Sequence, residues 1–310
     1  MKYADWLNEW LDLYAKQLKK RTYNRYKDIC NNHIKANLGD YDLDELTPLV
    51  LQRSVNEIKS NGNKKNGGEL SANTVNNIIT VMQSSIKRAY DLGYSKSYYA
   101  SSIQRPRVAE TEVKCFSVDE QKKIEKAVLE SGKLKMLGII IALYTGVRIG
   151  ELLALEWSCI DMQKRTITIK STCYEGKDKD GKYTKTTDTT KSQRSRIIPF
   201  PKQLLPILKK LKSEGHSRFV IENGKREQMS VRSYQRSFEL LIDKLGISKF
   251  SFHALRHTFA TRALESGMDV KTLSEILGHK SATVTLNRYA HSMMEHKKHS
   301  MDKLGALFSK

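Results

Sequence analysis

The sequence lacks the features that mark secreted, membrane-spanning and disulfide-stabilised proteins. Its four cysteines, Cys30, Cys115, Cys159 and Cys173, are scattered, so their spacing indicates neither a disulfide framework nor a zinc site. No run approaches the roughly 18 consecutive apolar residues that a membrane-spanning helix needs, and the most apolar stretch, residues 134–143, has the length of a core helix. The first residues contain no apolar segment typical of a secretory signal. We therefore expect a protein of the reducing cytoplasm.

What the sequence has in excess is positive charge. Its 310 residues include 54 lysines and arginines against 34 aspartates and glutamates, a formal net charge of +20. Residues 1–108 carry 17 basic and 11 acidic side chains, and the remainder carries 37 and 23. Charge on this scale is usually offset by a polyanion, which favours nucleic acid as the partner over a basic surface that is merely solvated. Because both parts are basic, the charge favours two DNA-contacting lobes over a globule with a basic tail.

The first hundred residues show the patterns of helices separated by short breaks. Apolar and aromatic residues recur at near-helical spacing from Tyr3 to Lys16. Thr22 is the predicted N-cap of a second helix, and Thr47-Pro48 predicts an N-cap followed by a first-turn proline. A polar loop at residues 60–71 precedes a fourth predicted helix at 71–92.

A segment without periodicity, residues 105–116, is interpreted as a linker between domains at 1–104 and 117–310. The second domain begins with a predicted capping box, in which Ser117 is followed three residues later by Glu120. The other elements predicted for it are a helix at 133–145, strands at 165–170 and 196–200 with a polar excursion of unassigned role at 172–190 between them, and further helices from about residue 231 onward.

Two near-matches to known motifs do not indicate a ligand. Residues 176–182 have the glycine and lysine spacing of a phosphate-binding loop, but Tyr183 stands where such a loop needs serine or threonine. A turn in a polar hairpin is the better interpretation. Three histidines near the C-terminus lie close to Glu295, where a charged tail is a better interpretation than a metal site. We expect no cofactor and no metal.

One group of residues, dispersed through the second domain, is informative as a set. Taken singly, each member is more often a surface or packing residue than a functional one. Their order and local sequences are together specific. The group consists of Arg148 in Thr-Gly-Val-Arg-Ile-Gly-Glu, Lys191 five residues before Arg196 in Arg-Ile-Ile-Pro, His253 and Arg256 in His-Ala-Leu-Arg-His, His279 in Leu-Gly-His-Lys-Ser, and Tyr289 ten residues after His279.

This set resembles the tyrosine recombinase (phage integrase) family, over nearly the whole chain and most strongly at residues 145–155, 253–264 and 277–289. The resemblance implies a mostly α fold with a small β-sheet. It implies a helical, SAM-like core-binding domain and a mixed α/β catalytic domain that form a two-lobed clamp around DNA. Family members often carry an additional N-terminal arm-binding domain. The pattern here begins at the core-binding region, which leaves open a simpler subgroup or a shortened chain.

The resemblance implies a site-specific recombinase, similar to integrases of prophages or integrative conjugative elements, that works in the bacterial cytoplasm at the nucleoid. Such an enzyme cuts and rejoins DNA through a 3′-phosphotyrosine link without ATP. A Xer-like resolvase of chromosome or plasmid dimers would use identical chemistry. A type IB topoisomerase would share the covalent step. An inactive DNA-binding regulator with the same fold is the alternative from another class, although it would have no physical reason to keep the six residues together.

The resemblance also assigns roles to the individual residues. Attack on a phosphodiester spreads negative charge over its non-bridging oxygens, and the planar forks of Arg148 and Arg256 suit those oxygens. His279 would add a hydrogen bond to the same phosphate. Tyr289 would be the nucleophile, and His253 the acceptor of its proton.

Four further residues have proton-donating, rival or supporting roles. Lys191 would protonate the departing 5′ oxygen, with Lys185 as the rival for that role. Glu151, three residues after Arg148, would hold that arginine in place or would simply be exposed. His257 is expected to pack or to act through its neighbours more than to contact the phosphate.

The remaining expectations concern DNA and assembly. A basic cluster near the second helix is expected to contact the DNA backbone rather than only water. An amphipathic helix predicted after Tyr289 is expected to dock on a neighbouring protomer in a homotetramer bound at a specific DNA site; the alternative is packing on its own domain. An accessory DNA-bending or directionality factor is a further expected partner. The cluster consists of Lys19, Lys20, Arg21, Arg25 and Lys27.

Overall fold

The computed structural model describes residues 1–64, 66–109, 112–177, 183–189, 195–289, 301–302, 304–305 and 308. The chain forms two compact units, Met1–Thr111 and Glu112–Lys310, each with its own hydrophobic core. Most of the described residues are helical, and the strands form small antiparallel sheets, which confirms the predicted fold class. Within the described residues, no helix combines the length and the apolar character needed to cross a membrane.

The first unit is helical. On α1, the buried indole Nε1 of Trp6 donates to the Ser85 carbonyl oxygen at 2.9 Å, and the Tyr3 hydroxyl lies 2.7 Å from Ser85 Oγ. The long α5 therefore anchors α1 through polar as well as apolar contacts. The helices of this unit are α1 (Tyr3–Leu13), α2 (Lys20–Ile29), α3 (Lys35–Leu38), α4 (Pro48–Asn61) and α5 (Ala72–Asp91).

The helix starts of this unit follow the sequence signals at two of three positions. The hydroxyls of Thr47 and Ser71 accept hydrogen bonds from the first turns of α4 and α5. The prediction of Thr22 as an N-cap was wrong. The helix begins at Lys20, because the Lys19 carbonyl already accepts from the N–H of Thr22 at 2.7 Å.

The second unit contains more helices and both sheets. Its α7 is apolar on every face and buried, so it forms the centre of the core. Its helices are α6 (Val118–Glu130), α7 (Leu137–Thr145), α8 (Ile149–Leu153), α9 (Leu205–Glu214), α10 (Val231–Leu245), α11 (His253–Glu265), α12 (Val270–Leu277) and α13 (Ala282–Tyr289), and its strands are β1 (Ile160–Asp161), β2 (Thr166–Ile169), β3 (Ser171–Lys177), β4 (Tyr183–Thr189) and β5 (Arg196–Pro199).

The ends of the predicted linker are packed on their respective units. Arg105 donates from Nη2 to Gln83 Oε1 at 2.6 Å within the first unit. Phe116 is fully buried in the core of the second unit, and its N–H donates to Thr258 Oγ1 at 2.9 Å. The capping box that follows is present: Ser117 Oγ accepts from the Glu120 N–H, and the Glu120 carboxylate accepts from the Ser117 N–H.

The strands β1, β2 and β5 form a three-stranded antiparallel sheet with β2 at its centre. Ile167 pairs with Ile198, and both side chains are buried in the core. The predicted strands at 165–170 and 196–200 are thus confirmed. The polar excursion between them forms an antiparallel hairpin of β3 and β4, although residues 178–182 and 190–194 lie outside the described residues.

Two glycines end the helices around which the site is built. Gly146 follows α7 with φ +65° and Gly278 follows α12 with φ +66°, in the left-handed region that favours glycine. A Cβ at Gly146 would lie 2.4 Å from a ring carbon of Phe259, and one at Gly278 would lie 3.0 Å from the Arg196 side chain. Both glycines therefore reverse the chain and also allow a neighbouring side chain to pack against the backbone. The C-termini of α7 and α12 that they end both point at Arg256.

Candidate active site

Arg256 lies at the centre of a cluster of cationic and polar groups. It projects from α11 and is almost completely buried. Its Nη1 donates to the Gly146 carbonyl at 2.8 Å, and its Nη2 donates to the Leu277 carbonyl at 2.7 Å. These carbonyls belong to the C-terminal ends of α7 and α12, where main-chain oxygens lack intrahelical donors and favour a cation. Burial, reinforced by the charge of Arg148, lowers the pKa of Arg256 to about 9, so the guanidinium stays charged at neutral pH.

Arg148 reaches the same helix end from the other side. It is the N-cap residue of α8, and its Nη1 donates to the Leu277 carbonyl at 3.3 Å and to Glu151 Oε1 at 2.9 Å. The side chain is 39% exposed, whereas Arg256 is enclosed. The carbonyl oxygen of Leu277 thus accepts from both arginines, which brings two positive charges together with donors left over for an anion.

Glu151 is buried, not exposed, and it anchors two arginines. Its carboxylate accepts from the side chain and the main-chain N–H of Arg148, and from both terminal nitrogens of Arg196 at 3.0 and 2.6 Å. Burial alone would raise the pKa of this carboxyl. The hydrogen bonds and charge of Arg196, with the charge of Arg148, outweigh burial and hold the pKa at about 2. Glu151 is therefore ionised at any physiological pH.

The tautomer of His279 follows from its two partners. Its Nε2 lies 3.0 Å from Nη2 of Arg256, which can only donate, so Nε2 accepts. Its Nδ1 therefore carries the proton and faces Thr285 Oγ1 at 2.7 Å. Burial and then the charge of Arg256 lower the pKa of His279 to about 4. In the DNA-free protein the ring is neutral at pH 7.

Tyr289 lies at the end of α13 and is buried. Its phenol oxygen is 2.7 Å from Nδ1 of His257. Burial raises the pKa of the phenol, and the charges of Arg256 and Arg288 oppose that rise. The nucleophile candidate thus lies within the field of the arginine cluster.

The histidine nearest the phenol differs from the one that the resemblance implies. The resemblance names His253 as the proton acceptor, whereas the ring that bonds the Tyr289 hydroxyl is His257. The two rings are adjacent, with centroids 4.6 Å apart and an edge-to-face arrangement. Burial is the largest cause that lowers both pKa values, to about 4 for His253 and about 3 for His257. Both rings are neutral at pH 7, the form that can accept a proton.

These pKa values give a prediction for the DNA-free protein. A lowered histidine pKa means that protonation begins only on acidification well below the usual value of about 6.5, so the His257 ring is expected to stay neutral down to about pH 5. The ring-carbon chemical shifts of His257, followed by NMR as the pH is lowered, measure this directly. A titration midpoint near the usual value would show that the phenol–imidazole contact and the burial are absent in solution.

The structure thus brings together five of the six residues of the dispersed set. Lys191 lies outside the described residues, and of its rival Lys185 only the backbone, in β4, is described. Two residues of the cluster were missed from the sequence: Arg196 served only to place Lys191, and Thr285 belongs to no motif. No three histidine, cysteine or acidic side chains among the described residues are grouped so as to hold a metal ion.

The five residues of the basic cluster in the first unit lie along the chain's second helix and just before it, far along the sequence from this site. Lys19 precedes α2, and the others are on it; all five side chains are exposed. Their exposure is compatible with contact to a phosphate backbone.

Comparison with known proteins extends these observations. Residues 115–296 match the phage integrase family, and residues 2–59 match the phage integrase N-terminal SAM-like domain. A XerC-like tyrosine recombinase of Caldanaerobacter subterraneus subsp. tengcongensis is 27% identical, over 98% of this chain and 83% of its own. The ICEBs1 integrase of Bacillus subtilis is 26% identical, over 93% of this chain and 78% of its own.

Solved structures show the same fold. The Tn1549 transposon integrase in complex with a circular intermediate DNA superposes with a TM-score of 0.81 at 20% identity, over 98% of this chain and 99% of that one. The λ integrase tetramer bound to a Holliday junction superposes with a TM-score of 0.69 at 21% identity, over 91% and 79%. The family match spans more than half of the sequence and includes every described residue of the cluster, and the chain therefore belongs to the phage integrase family of tyrosine recombinases.

Proposed function

We propose that this site-specific recombinase cuts and rejoins DNA strands at the cluster around Arg256, through a phosphotyrosine link to Tyr289. The observation that carries the proposal is the convergence of two arginines and a histidine on one helix end, with a buried tyrosine in their field. Such fixed cationic donors lower the barrier to phosphoryl transfer by a few kcal/mol each.

The arginines would bind the scissile phosphate. In the DNA-free protein, Arg148 and Arg256 both donate to the Leu277 carbonyl, an uncharged oxygen. A phosphate oxygen bears negative charge and accepts bidentate bonds from arginine more strongly than a carbonyl does. We propose that the non-bridging oxygens recruit the remaining donors of the two forks. The negative charge of the phosphate would also favour the protonated ring of His279, in which Nε2 carries a hydrogen and donates a third bond.

The covalent step would form one bond and break one. The phenol oxygen of Tyr289 attacks phosphorus, the bond from phosphorus to the 5′ oxygen breaks, and the 3′ strand end stays attached to tyrosine. The phenol proton passes to the adjacent pair of neutral imidazoles, His257 and His253, of which His257 is already bonded to the hydroxyl. Rejoining reverses these changes with another 5′ hydroxyl. One phosphate ester replaces another, so the reaction requires no ATP.

The departing 5′ oxygen needs a proton, and we propose Lys191 as its donor. Lys191→Ala is expected to slow cleavage of ordinary DNA by about 100-fold or more, the usual contribution of a general acid. A substrate with a 5′-thiol leaving group needs little protonation and should restore the rate. Cleavage by the two substrates is compared on gels. The matched variant is Lys185→Ala: if the thiol substrate rescues it instead, the role belongs to Lys185.

The helical first unit would add contacts that position the DNA. The exposed residues Lys19, Lys20, Arg21, Arg25 and Lys27 are proposed to contact the backbone, which orients the protein without reading sequence. We propose a core-binding domain at residues 1–104, a linker at 105–116 and a catalytic domain at 117–310. We also propose that the protein acts in the cytoplasm, at the nucleoid.

Assembly is proposed to involve the C-terminal tail. Met301, Leu304 and Phe308 are exposed large apolar side chains, and Phe308 is 80% exposed. Residues 290–300, which connect them to α13, lie outside the described residues. The likeness to the λ integrase tetramer supports a homotetramer on DNA. We propose that the tails are exchanged between its protomers, where their exposed apolar side chains would be covered. A DNA-bending or directionality factor is a further proposed partner.

The test is a covalent trap. The protein is mixed with a nicked suicide duplex from its own attachment region, and a protein–DNA band that survives denaturation is expected. Absence of that band would favour the inactive DNA-binding regulator.

Integrase and Xer-like resolvase differ in substrate: an integrase recombines an element's attachment site with a chromosomal one, whereas a resolvase acts on two copies of a dimer site. Relatives of both kinds match this chain.

A further inference from the structure

Arg196 directs all three nitrogens of its guanidinium at acceptors within the protein. It is the first residue of β5, and its side chain is 15% exposed. Its Nε donates to the Ile276 carbonyl at 2.8 Å, and its two terminal nitrogens form a parallel pair of bonds to the two oxygens of Glu151. Through Arg196, strand β5 thereby holds α8 at Glu151 and the end of α12 at Ile276.

The first connection determines the state of Glu151. This carboxylate is 4% exposed, and burial of an acidic group favours its neutral form. Arg196 is the stronger of the two neighbours that keep it ionised. An ionised Glu151 accepts from both the side chain and the main-chain N–H of Arg148. The charge that orients Arg148 is thus maintained by Arg196.

The second connection braces the turn that carries the other phosphate-binding groups. Arg196 bonds Ile276, and its Cδ and Nη1 lie against Gly278, where a Cβ would come within 3.0 Å. Between these contacts is the Leu277 carbonyl, which accepts from Arg148 and Arg256, and directly after them is His279. A displaced Arg196 would release this turn.

We infer that Arg196 is a positioning residue of the recombination reaction, which fixes Arg148 through Glu151 and His279 through the Ile276–Gly278 turn without binding the phosphate. This inference rests on the proposed function. Three of the five N–H donors of Arg196 are used by protein acceptors that lie in two directions, Glu151 and Ile276. Lysine, with a single point of charge, cannot reproduce that geometry.

The test compares Arg196→Lys and Arg196→Met with the wild-type protein on the nicked suicide duplex. Single-turnover adduct formation is expected to fall about 100-fold in both, since loss of positioning at this scale is typical of an ångström-sized displacement. DNA affinity should change little, and the slope of log affinity against log salt should match the wild type. A phosphate contact would instead reduce that slope by about 0.9 for Arg196→Met, and that result would overturn the inference.

The rate of adduct formation is also measured as a function of pH. Its fall at low pH, the acid limb of the profile, distinguishes a positioning role of Arg196 from a general loss of structure. Without Arg196 the pKa of Glu151 rises, so Arg196→Met should lose rate on acidification at a higher pH than the wild type does. Glu151→Gln cannot titrate, and in that background removal of Arg196 should leave the acid limb unchanged. The double variant should also be much less impaired than the product of the two single effects, because the two residues act together. Multiplicative effects, or an acid limb identical to that of the wild type, would contradict the inference.

A surface arginine in an ion pair provides the matched control. Arg236 bonds Glu239 at 3.4 Å on the exposed face of α10, so Arg236→Met removes one charge and one ion pair without affecting the cluster. Its adduct formation should stay within about twofold of wild type, since exposed pairs contribute little. If the wild-type protein forms no adduct, the proposed function fails. If the wild type is active and both Arg196 variants match it, only the present inference fails.

Discussion

Tyr289→Phe is expected to abolish covalent attachment to DNA while leaving DNA binding intact. Phenylalanine keeps the buried ring of α13 and removes only the oxygen that bonds Nδ1 of His257. No other atom at that position can attack phosphorus, so adduct formation on the nicked suicide duplex should fall below detection. Affinity for DNA should be retained, because the proposed phosphate-binding groups Arg148 and Arg256 are unchanged. Gel shift and denaturing gels on the same samples measure the two properties separately.

Tyr234→Phe is the matched control for this change. Tyr234 is also fully buried in the second unit, and its hydroxyl donates to the Lys135 carbonyl at 2.7 Å. Removing that hydroxyl should lower the free energy of unfolding by about 1 kcal/mol and leave adduct formation intact. A covalent band with Tyr289→Phe would identify a different nucleophile and refute the assignment.

Arg256→Lys is expected to reduce adduct formation by about 10³-fold, the loss typical of removing a charge-stabilising donor. The arginine fork contacts the carbonyls of Gly146 and Leu277 and the ring of His279 simultaneously. A lysine ammonium keeps the charge but cannot reach all three, which leaves at least one buried carbonyl without its donor. Thermal unfolding should therefore also reveal a loss of about 1–3 kcal/mol.

Arg262→Lys tests whether any such change on α11 has this effect. Arg262 lies on the same helix, donates to the Phe116 carbonyl at 3.0 Å and pairs with Glu265, and has no described contact with the cluster. Its loss should destabilise the protein modestly and change the rate of adduct formation by only a few-fold. Equal rates for Arg256→Lys and the wild type would remove Arg256 from the phosphate site.

Local sequence signals predicted the fold well where a structure depends on neighbours in the chain. The Thr47 cap, the Ser117–Glu120 box and the β2 and β5 strands are all set within a few residues. The Thr22 prediction failed because the carbonyl of Lys19, three residues before it, already accepts the first hydrogen bond of the helix. The polar hairpin predicted around residues 176–182 is present as β3 and β4, but the bounds of its strands could not be predicted, because polar strands lack the apolar alternation by which a strand is recognised.

The same distinction, between features set by neighbours in the sequence and features set by tertiary contacts, applies to the site. The motifs predicted which residues approach one another, since each belongs to a short recognisable sequence. They could not predict which imidazole bonds the phenol, because His253 and His257 are one helical turn apart and only the packing of α13 decides between them. Arg196 and Thr285 were missed for a related reason: their partners, Glu151 and His279, are defined by tertiary contacts rather than by spacing.

The single main-chain oxygen at the end of α12 has a consequence for control of the enzyme. Arg148 and Arg256 both bond to the Leu277 carbonyl, and His279 follows two residues later. A rotation of this one peptide group would take a hydrogen bond from both arginines and shift His279, and would thus disturb all three proposed phosphate ligands at the same moment. In the proposed assembly, a neighbouring protomer that shifts this turn would act on all three ligands together rather than on one stage of the reaction, so the turn would be a single point at which strand exchange could start or halt.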